Sequence, residues 1–402
     1  MLLPHRWLIT MNDQLHYYHW LASEEGAAQL AAAESMRIEG VGDLKIGEEL
    51  RQQLDAERAA LVLTQLDLRE RAATKFSRAN EMLFTRAGLE QSTSEAISLY
   101  RVQRFAGSSH IVDLCCGIGG DLLALATHDA ALTAVDRDPV HLFLAEHNAR
   151  IYQPNAQITP LLMNVEDAPI TSAYAVFIDP ARREGSGRRT GYQSEPSIEW
   201  SLALAVRAGS VGIKTAPGIP REFIPNGWEL EMIALGNDLK EAVLWCPALA
   251  GAERRATAIT SQGAVTLSRS PGDPVAIRDV VAGDWLHDVN PAVTNAGLVE
   301  DLARVIGAER IDAEIGFLVS DSNVTHPMAT SWRVLAVLPW HEKRIKQALA
   351  SLNIGPVDIR RRGLAGDVPL ITKRVRGKGS QRAIIAMTRM QDVPTAIICS
   401  LE

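Results

Sequence analysis

Residues 112–121 read VDLCCGIGGD, and they place Gly117, Gly119 and Gly120 within four positions at the end of an apolar run. A tight turn needs fewer glycines than that. Three together let something approach the backbone closely and let a following helix pack hard against a strand. The flanks agree with a strand–turn–helix reading: IVDLCC (111–116) is a short apolar run, and LLALATH (122–128) has helical composition. Further along come ALTAVD (131–136), PVHLFLAEHNARIY (139–152), ITPLLMN (158–164), YAVFIDP (174–180), SVGIKTAP (210–217) and AVLWCPA (242–248). Strands alternating with helices predict a parallel, doubly wound sheet, which binds its ligand at the carboxyl ends of its strands.

Two carboxylates fall at such ends. Asp136 closes ALTAVD, where it can accept the hydroxyls of a ribose, and Asp179 closes YAVFID. The glycines and Asp136 suit an adenosylmethionine site or a dinucleotide site equally well. The fourth strand adds Asp179-Pro180-Ala181-Arg182 facing the same crevice.

With that motif the sequence resembles the class I adenosylmethionine-dependent methyltransferases. The resemblance implies a Rossmann-like domain whose glycine turn curls round the methionine part of S-adenosyl-L-methionine. It implies a cofactor set of Asp113, Cys115, Gly117, Gly119 and Gly120 from the first strand and turn, Asp136 and Arg137 from the second strand, and Asn164 and Asp167 after the third. Asp179, Pro180 and Arg182 fall on the acceptor side as the implied catalytic residues. Alanine stands where the family's motif has a second proline, and Arg182 where many amino-methylating members have an aromatic. The segment KFSRANEMLFTRAGLEQSTSEAISLYRV (75–102) resembles the cofactor cap of trimethylguanosine-synthase-like enzymes, which brings Gln91, Ser92 and Thr93 to the cofactor's amino-acid end. WRVLAVLPWHEKRIKQALASLNIGPVDIRRRG (332–363) resembles the THUMP-like domain of one bacterial methyltransferase group. True THUMP domains bind RNA, so the partner implied is tRNA or rRNA.

The remaining chain frames this core. Ala-, Leu-, Glu- and Arg-rich stretches at 24–36 and 47–76 predict helices, separated by a loop at 40–47. SRSPGDPVAI (268–277) reads as a linker, residues 290–307 as a helix, 332–363 as strand–helix–strand, and 383–390 and 394–402 as closing strands. The expected division is a helical region with the cap (1–95), a Rossmann-like domain (96–265), a small α+β connecting module (266–330) and a THUMP-like domain (331–402). The fold class is therefore α/β with a helical N-terminal region and small α+β C-terminal modules.

Bulk properties exclude several classes. The chain has 402 residues, 47% hydrophobic and 22% charged, as soluble proteins have. A net charge of −7 argues against a uniformly basic nucleic-acid binder but permits a local basic face. No apolar run reaches the length of a membrane span, and MLLPHRWLITMNDQ lacks the pattern of a signal peptide. The cysteines, at 115, 116, 246 and 399, form no C-x-x-C pair, so neither a zinc site nor a disulfide framework is expected. Together these predict a cytoplasmic protein without membrane or metal.

Three local features carry competing readings. Cys246, in LWCPA, suits a structural thiol better than the nucleophile of a C5-pyrimidine methyltransferase. Arg182, Arg183, Arg188 and Arg189 form either a solvated loop or a phosphate clamp. Arg360, Arg361, Arg362, Lys373, Arg374, Arg376, Lys378 and Arg382 are opposed within 357–383 only by Asp358 and Asp367. So one-sided a run reads as an RNA footprint more than as a solvated face. Lys214, ending VGIK, lies either on the substrate side of the pocket or in a plain strand-ending turn. The outcome predicted is methyl transfer to a nucleotide in structured RNA. A non-catalytic RNA-binding or assembly factor is the alternative, disfavoured because Asp136 and the glycines are all in place. An NAD-dependent oxidoreductase is disfavoured by the G-x-G-G-D pattern.

Overall fold

Two of the N-terminal helices start where a side chain caps them. Residues 14–21 form α1. The Ser23 hydroxyl then accepts from the Gly26 amide to open α2 (Glu24–Ile38), and Asp55 does the same for α4 (Ala56–Ala72) after α3 (Asp43–Gln53). Each satisfies a backbone donor that the first helical turn leaves free. The loop expected at 40–47 is shorter, because Asp43 already starts α3. The computed structural model describes residues 14–182 and 194–401. The chain divides into two compact units. One contains residues up to Trp228 with Val243–Ala250; the other contains Glu229–Ala242 and the chain from Gly251 onward.

In the first unit α5 (Arg86–Gln91) and α6 (Glu95–Arg101) lead into the sheet. The chain then runs β1 (His110–Leu114), α7 (Leu122–Leu125), β2 (Ala131–Asp136), α8 (Pro139–Tyr152), β3 (Ile158–Leu162), β4 (Ala175–Ile178), β5 (Ala181–Arg182), β6 (Ser194–Glu195), α9 (Ile198–Arg207) and β7 (Ser210–Thr215). The order β3-β2-β1-β4-β7 is parallel throughout. Strands 1 to 3 wind one way and β4 and β7 the other, so the order reverses between β1 and β4. A crevice opens at such a point outside the strand ends. The register pairs Leu114 with Val135 and with Ile178, which brings Cys115, Asp136 and Asp179 to that one edge. The expected helix at 122–128 is a single turn, four residues long.

β8 (Glu229–Leu235) and β9 (Asp238–Trp245) follow. The Cys246 amide donates to Val211 O at 2.9 Å, setting the end of β9 beside β7. Gly212 makes that approach possible, since a Cβ there would meet the Trp245 ring at 2.5 Å.

In the second unit β8 pairs in parallel with β10 (Arg254–Thr260), which pairs antiparallel with β11 (Gly263–Ser268). The sequence pattern marks no strand over β8, β10 or β11. A second sheet is built from β12 (Trp285–Val289), β13 (Glu309–Arg310), β14 (Phe317–Ser320), β15 (Ala329–Pro339), β16 (Ile354–Arg361), β17 (Gln381–Met390) and β18 (Val393–Ser400), in the order β13-β14-β12-β15-β18-β17-β16. Its helices are α10 (Pro291–Ala296), α11 (Val299–Ile306), α12 (Glu342–Ser351) and α13 (Val368–Val375). The single helix expected at 290–307 is two, because Gly297 adopts φ 72° and ends α10. β15 is long enough to serve twice: residues 329–333 pair with β12, and 334–339 with β18 across an irregularity at 334–336. The central stretches 383–387 of β17 and 396–399 of β18 are apolar throughout because both faces are buried there. Ile384, Ala386, Ile397 and Cys399 pack on one side, and Ala383, Ile385, Met387, Ala396 and Ile398 on the other. Among the described residues no helix is long and apolar enough to cross a membrane.

Candidate active site

The glycine turn owes its shape to left-handed backbone. Cys115, Gly117 and Gly119 have φ of 61°, 52° and 86°. Such values are costly for a side-chain residue, so Cys115 marks local strain next to a crevice. A Cβ on Gly119 would meet the Ala145 backbone of α8 at 2.8 Å, whereas one on Gly117 would meet nothing within 4 Å. Gly119 is therefore a packing glycine, and Gly117 borders open space. Burial pushes the Cys115 and Cys116 thiols well above the usual range, which disfavours their thiolate forms.

Asp136 is fixed from two sides. Its Oδ2 accepts from the Gly117 amide at 2.9 Å and its Oδ1 from the Asp138 amide at 2.9 Å. Each oxygen keeps a second lone pair, so the carboxylate can still receive two hydroxyls. Asp113 is 1% exposed at the end of β1, and its Oδ2 has no hydrogen-bond partner. Burial first, then Asp121 and Asp179, raise its carboxyl well above the ordinary range. The protonated acid is the form such surroundings favour.

A chain of side chains crosses the crevice. Lys214 Nζ donates to Asp179 Oδ2 at 2.6 Å and to Thr93 Oγ1 at 3.0 Å. Thr93 Oγ1 lies 3.4 Å from Asp121 Oδ2, and Asp121 is ion-paired with Arg101, which stacks over the Phe177 ring. Sequence reading did not single out Arg101 or Asp121. The available signal was Asp121 following the glycines directly; its partner lies 20 residues away and is joined only by folding. The segment preceding the sheet is held by two buried amides. Gln65 clasps both backbone groups of Phe84, and Asn148 clasps both of Leu83 while donating to Ile118 O in the glycine turn.

The chain is 31% identical over 332 residues to an uncharacterized S-adenosylmethionine-dependent methyltransferase of Mycobacterium tuberculosis, found in two strains, covering 80% of this chain and 90% of the relative. The chain belongs to the S-adenosylmethionine-dependent methyltransferases. Three families match along this methyltransferase: a domain of unknown function over residues 14–72, RNA cap guanine-N2 methyltransferase over 108–184, and THUMP domain-like over 329–401. The crystal structure of a candidate methyltransferase from Porphyromonas gingivalis superposes with a TM-score of 0.70 at 18% identity, covering 87% of this chain and 92% of that one. It shares the fold.

The residues present fit the cofactor. The orphaned Asp113 oxygen, the open space over Gly117 and the spare lone pairs of Asp136 all border the same turn. The fold brings Thr93, Asp113, Gly117, Gly120, Asp136 and Asp179 to these strand ends, with Gly120 against Thr93 O. Pro180 is buried behind Asp179. Asn164 and Asp167 are exposed after β3, and Arg137 turns outward to pair with Glu195 at 2.9 Å. Arg182 is described in its backbone alone, and Arg183, Arg188 and Arg189 of the expected phosphate clamp lie outside the described residues. Cys246 is buried, and its Sγ accepts from the Val211 amide at 3.1 Å, a structural role.

The basic run of the second unit needs one correction. Arg362 is no part of a free cationic face. Its Nε donates to Asp288 Oδ1 at 2.8 Å and its Nη2 to Val289 O at 2.6 Å, with the guanidinium over the Phe317 ring. Asp288 lies 74 residues away, so a count of nearby acids could not reveal it. Arg374 pairs with Glu342 at 3.6 Å and Arg382 with Asp358 at 3.2 Å. Arg360, Arg361, Lys373, Arg376 and Lys378 are exposed.

Proposed function

We propose that this methyltransferase modifies an amino group of a nucleotide in structured RNA, tRNA or rRNA. The observation that carries the reading is Asp179 at the end of β4, half-buried, with Oδ2 taken by Lys214 and Oδ1 left for an incoming donor. S-adenosylmethionine supplies a methyl made electrophilic by its sulfonium. The protein's part is positioning. Asp136, held by the Gly117 and Asp138 amides, receives the ribose hydroxyls; the turn at Cys115, Gly117, Gly119 and Gly120, with Asp113 and Thr93, surrounds the amino-acid end; Asn164 and Asp167 border the adenine. Asp179 Oδ1 accepts an N–H of the acceptor amine and turns its lone pair toward the methyl, with the Pro180 carbonyl as a second acceptor. Arg182, the last residue of the Asp179-Pro180-Ala181-Arg182 motif, is assigned to the acceptor's phosphate. The family matched over 108–184 is named for guanine-N2, an exocyclic amine, which points the same way.

RNA is favoured by the THUMP domain-like match over 329–401 and by the exposed cations Arg360, Arg361, Lys373, Arg376 and Lys378 within it. Long cations beside glycine-bearing turns hold phosphates without reading sequence. The test is mass spectrometry of tRNA and rRNA nucleosides from a strain lacking the gene. One methylated nucleoside is expected to disappear and to return with the parent gene but not with Asp179→Ala. An unchanged nucleoside profile overturns the reading.

A further inference from the structure

The ammonium of Lys214 sits at the junction of three parts of the first unit. It extends from the end of β7 to Asp179 Oδ2 after β4 and to Thr93 Oγ1 just before α6. Its side chain is 16% exposed, so both bonds are made largely out of water, where a charge-assisted hydrogen bond holds geometry well. Thr93 is fixed in turn, since its hydroxyl also lies against Asp121 Oδ2 and within 3.5 Å of Arg101 Nη2. Arg101 is 1% exposed and paired with Asp121. The far end of the chain is therefore anchored in the core, and Lys214 passes that rigidity on to Asp179.

The consequence is geometric. A carboxylate on one side-chain torsion can present either oxygen to a crevice. With Oδ2 tied to Lys214, rotation of the Asp179 carboxylate breaks a 2.6 Å ion pair. Oδ1 is then presented in one direction, toward whatever donor enters. Thr93 and Asp179 also become a pair at fixed separation, one on the segment before the sheet and one on the acceptor side.

We infer that Lys214 is a positioning residue for methyl transfer: it holds the Asp179 carboxylate with Oδ1 facing the acceptor and locks it to Thr93. The inference rests on the acceptor role given to Asp179 above. Lys214 acts on the acceptor through Asp179, so its loss should act on the rate at saturation and leave cofactor affinity nearly intact.

The experiment uses the full-length chain, labelled S-adenosylmethionine and total tRNA and rRNA from the gene-deletion strain as acceptor. Calorimetric binding of S-adenosylmethionine is measured on the same preparations. Lys214→Met is expected to lower kcat by about 10- to 100-fold, the scale of a misplaced reacting group, with cofactor Kd and RNA KM each within threefold of the parent. Lys214→Arg, which keeps the charge and the donors, is expected to recover at least a third of the parent rate. A merely structural lysine would not separate kcat from KM in this way or be rescued by arginine. Parent-like kcat in Lys214→Met overturns the inference and leaves the RNA reading standing. A parallel loss of cofactor affinity also overturns it, making Lys214 part of the cofactor site. A parent enzyme that labels no RNA overturns the RNA reading and the Lys214 assignment with it.

Discussion

The crevice of the first unit and the basic run of the second both consist of charged residues, and they use charge in opposite ways. In the crevice, Asp121, Asp136 and Arg101 are each less than a tenth exposed, and Arg101 reaches Asp121 from a helix 20 residues away. In the basic run, Arg360, Arg361, Lys373, Arg376 and Lys378 are neighbours in sequence and exposed. A buried charge is costly unless it is paired, so it constrains what surrounds it. An exposed one is screened and acts mainly through long-range attraction. The first arrangement specifies geometry and the second supplies grip.

The contrast is sharpest at Asp179. Asp179→Ala should lower turnover by about 10²- to 10⁴-fold, the range for a lost proton-handling or orienting group. Cofactor affinity should stay within threefold by calorimetry. A variant that loses cofactor affinity yet transfers normally at saturation would move Asp179 to the cofactor side.

Arg101 tests whether the crevice charges are structural. Arg101→Met leaves Asp121 buried without its cation, which should cost roughly 3–5 kcal/mol in a denaturant melt. Stability within about 1 kcal/mol of the parent would mean that the pair is easily replaced, and the contrast with the basic run would weaken.

Asp136 gives a smaller effect. Asp136→Ala removes charge-assisted bonds worth roughly 1.5–3 kcal/mol in all, so binding of S-adenosylmethionine and S-adenosylhomocysteine should fall about 10- to 100-fold. The Gly117 amide loses its acceptor at the same time. Unchanged affinity would place the ribose elsewhere.

The smallest effects belong to the basic run. The double variant Arg360→Ala, Arg361→Ala should weaken RNA binding by severalfold and reduce the magnitude of the salt slope by about 1.4–1.8, as two phosphate contacts predict. Adenosylmethionine affinity should not change. Arg362→Ala should instead lower the melting temperature, because it leaves Asp288 without its guanidinium. A filter-binding series across salt concentrations checks the first and a thermal melt the second. If Arg362→Ala matched the double variant in salt slope and melted like the parent, the distinction between the ion-paired cation and the exposed ones would fail.

How much was legible in the sequence follows from how local each feature is. The parallel sheet could be read because each βα unit carries its own apolar run and turn, with the glycines at 117, 119 and 120 within one loop. β8, β10 and β11 were not assigned: ELEMIAL and RRATAIT interleave buried Glu229, Glu231 and Thr257 with apolar residues, so they do not look like core strands. Glu231 is tolerated there because the Thr257 hydroxyl donates to it at 2.5 Å, across a strand pairing that only folding creates.

Sequence by itself determined the class of the first sheet, the glycine turn, the strand-end carboxylates Asp136 and Asp179, and the family resemblance. All of these depend on residues within a few positions of one another, where backbone conformation and strand periodicity act. Only the tertiary structure decided that Lys214 joins Asp179 to Thr93, that Arg101 neutralises Asp121, and that Arg362 belongs to Asp288. Those pairings join residues 20 to 121 positions apart. What selects them is the penalty for burying an unpaired charge, which is set by the packed surroundings and is written in no single stretch of chain.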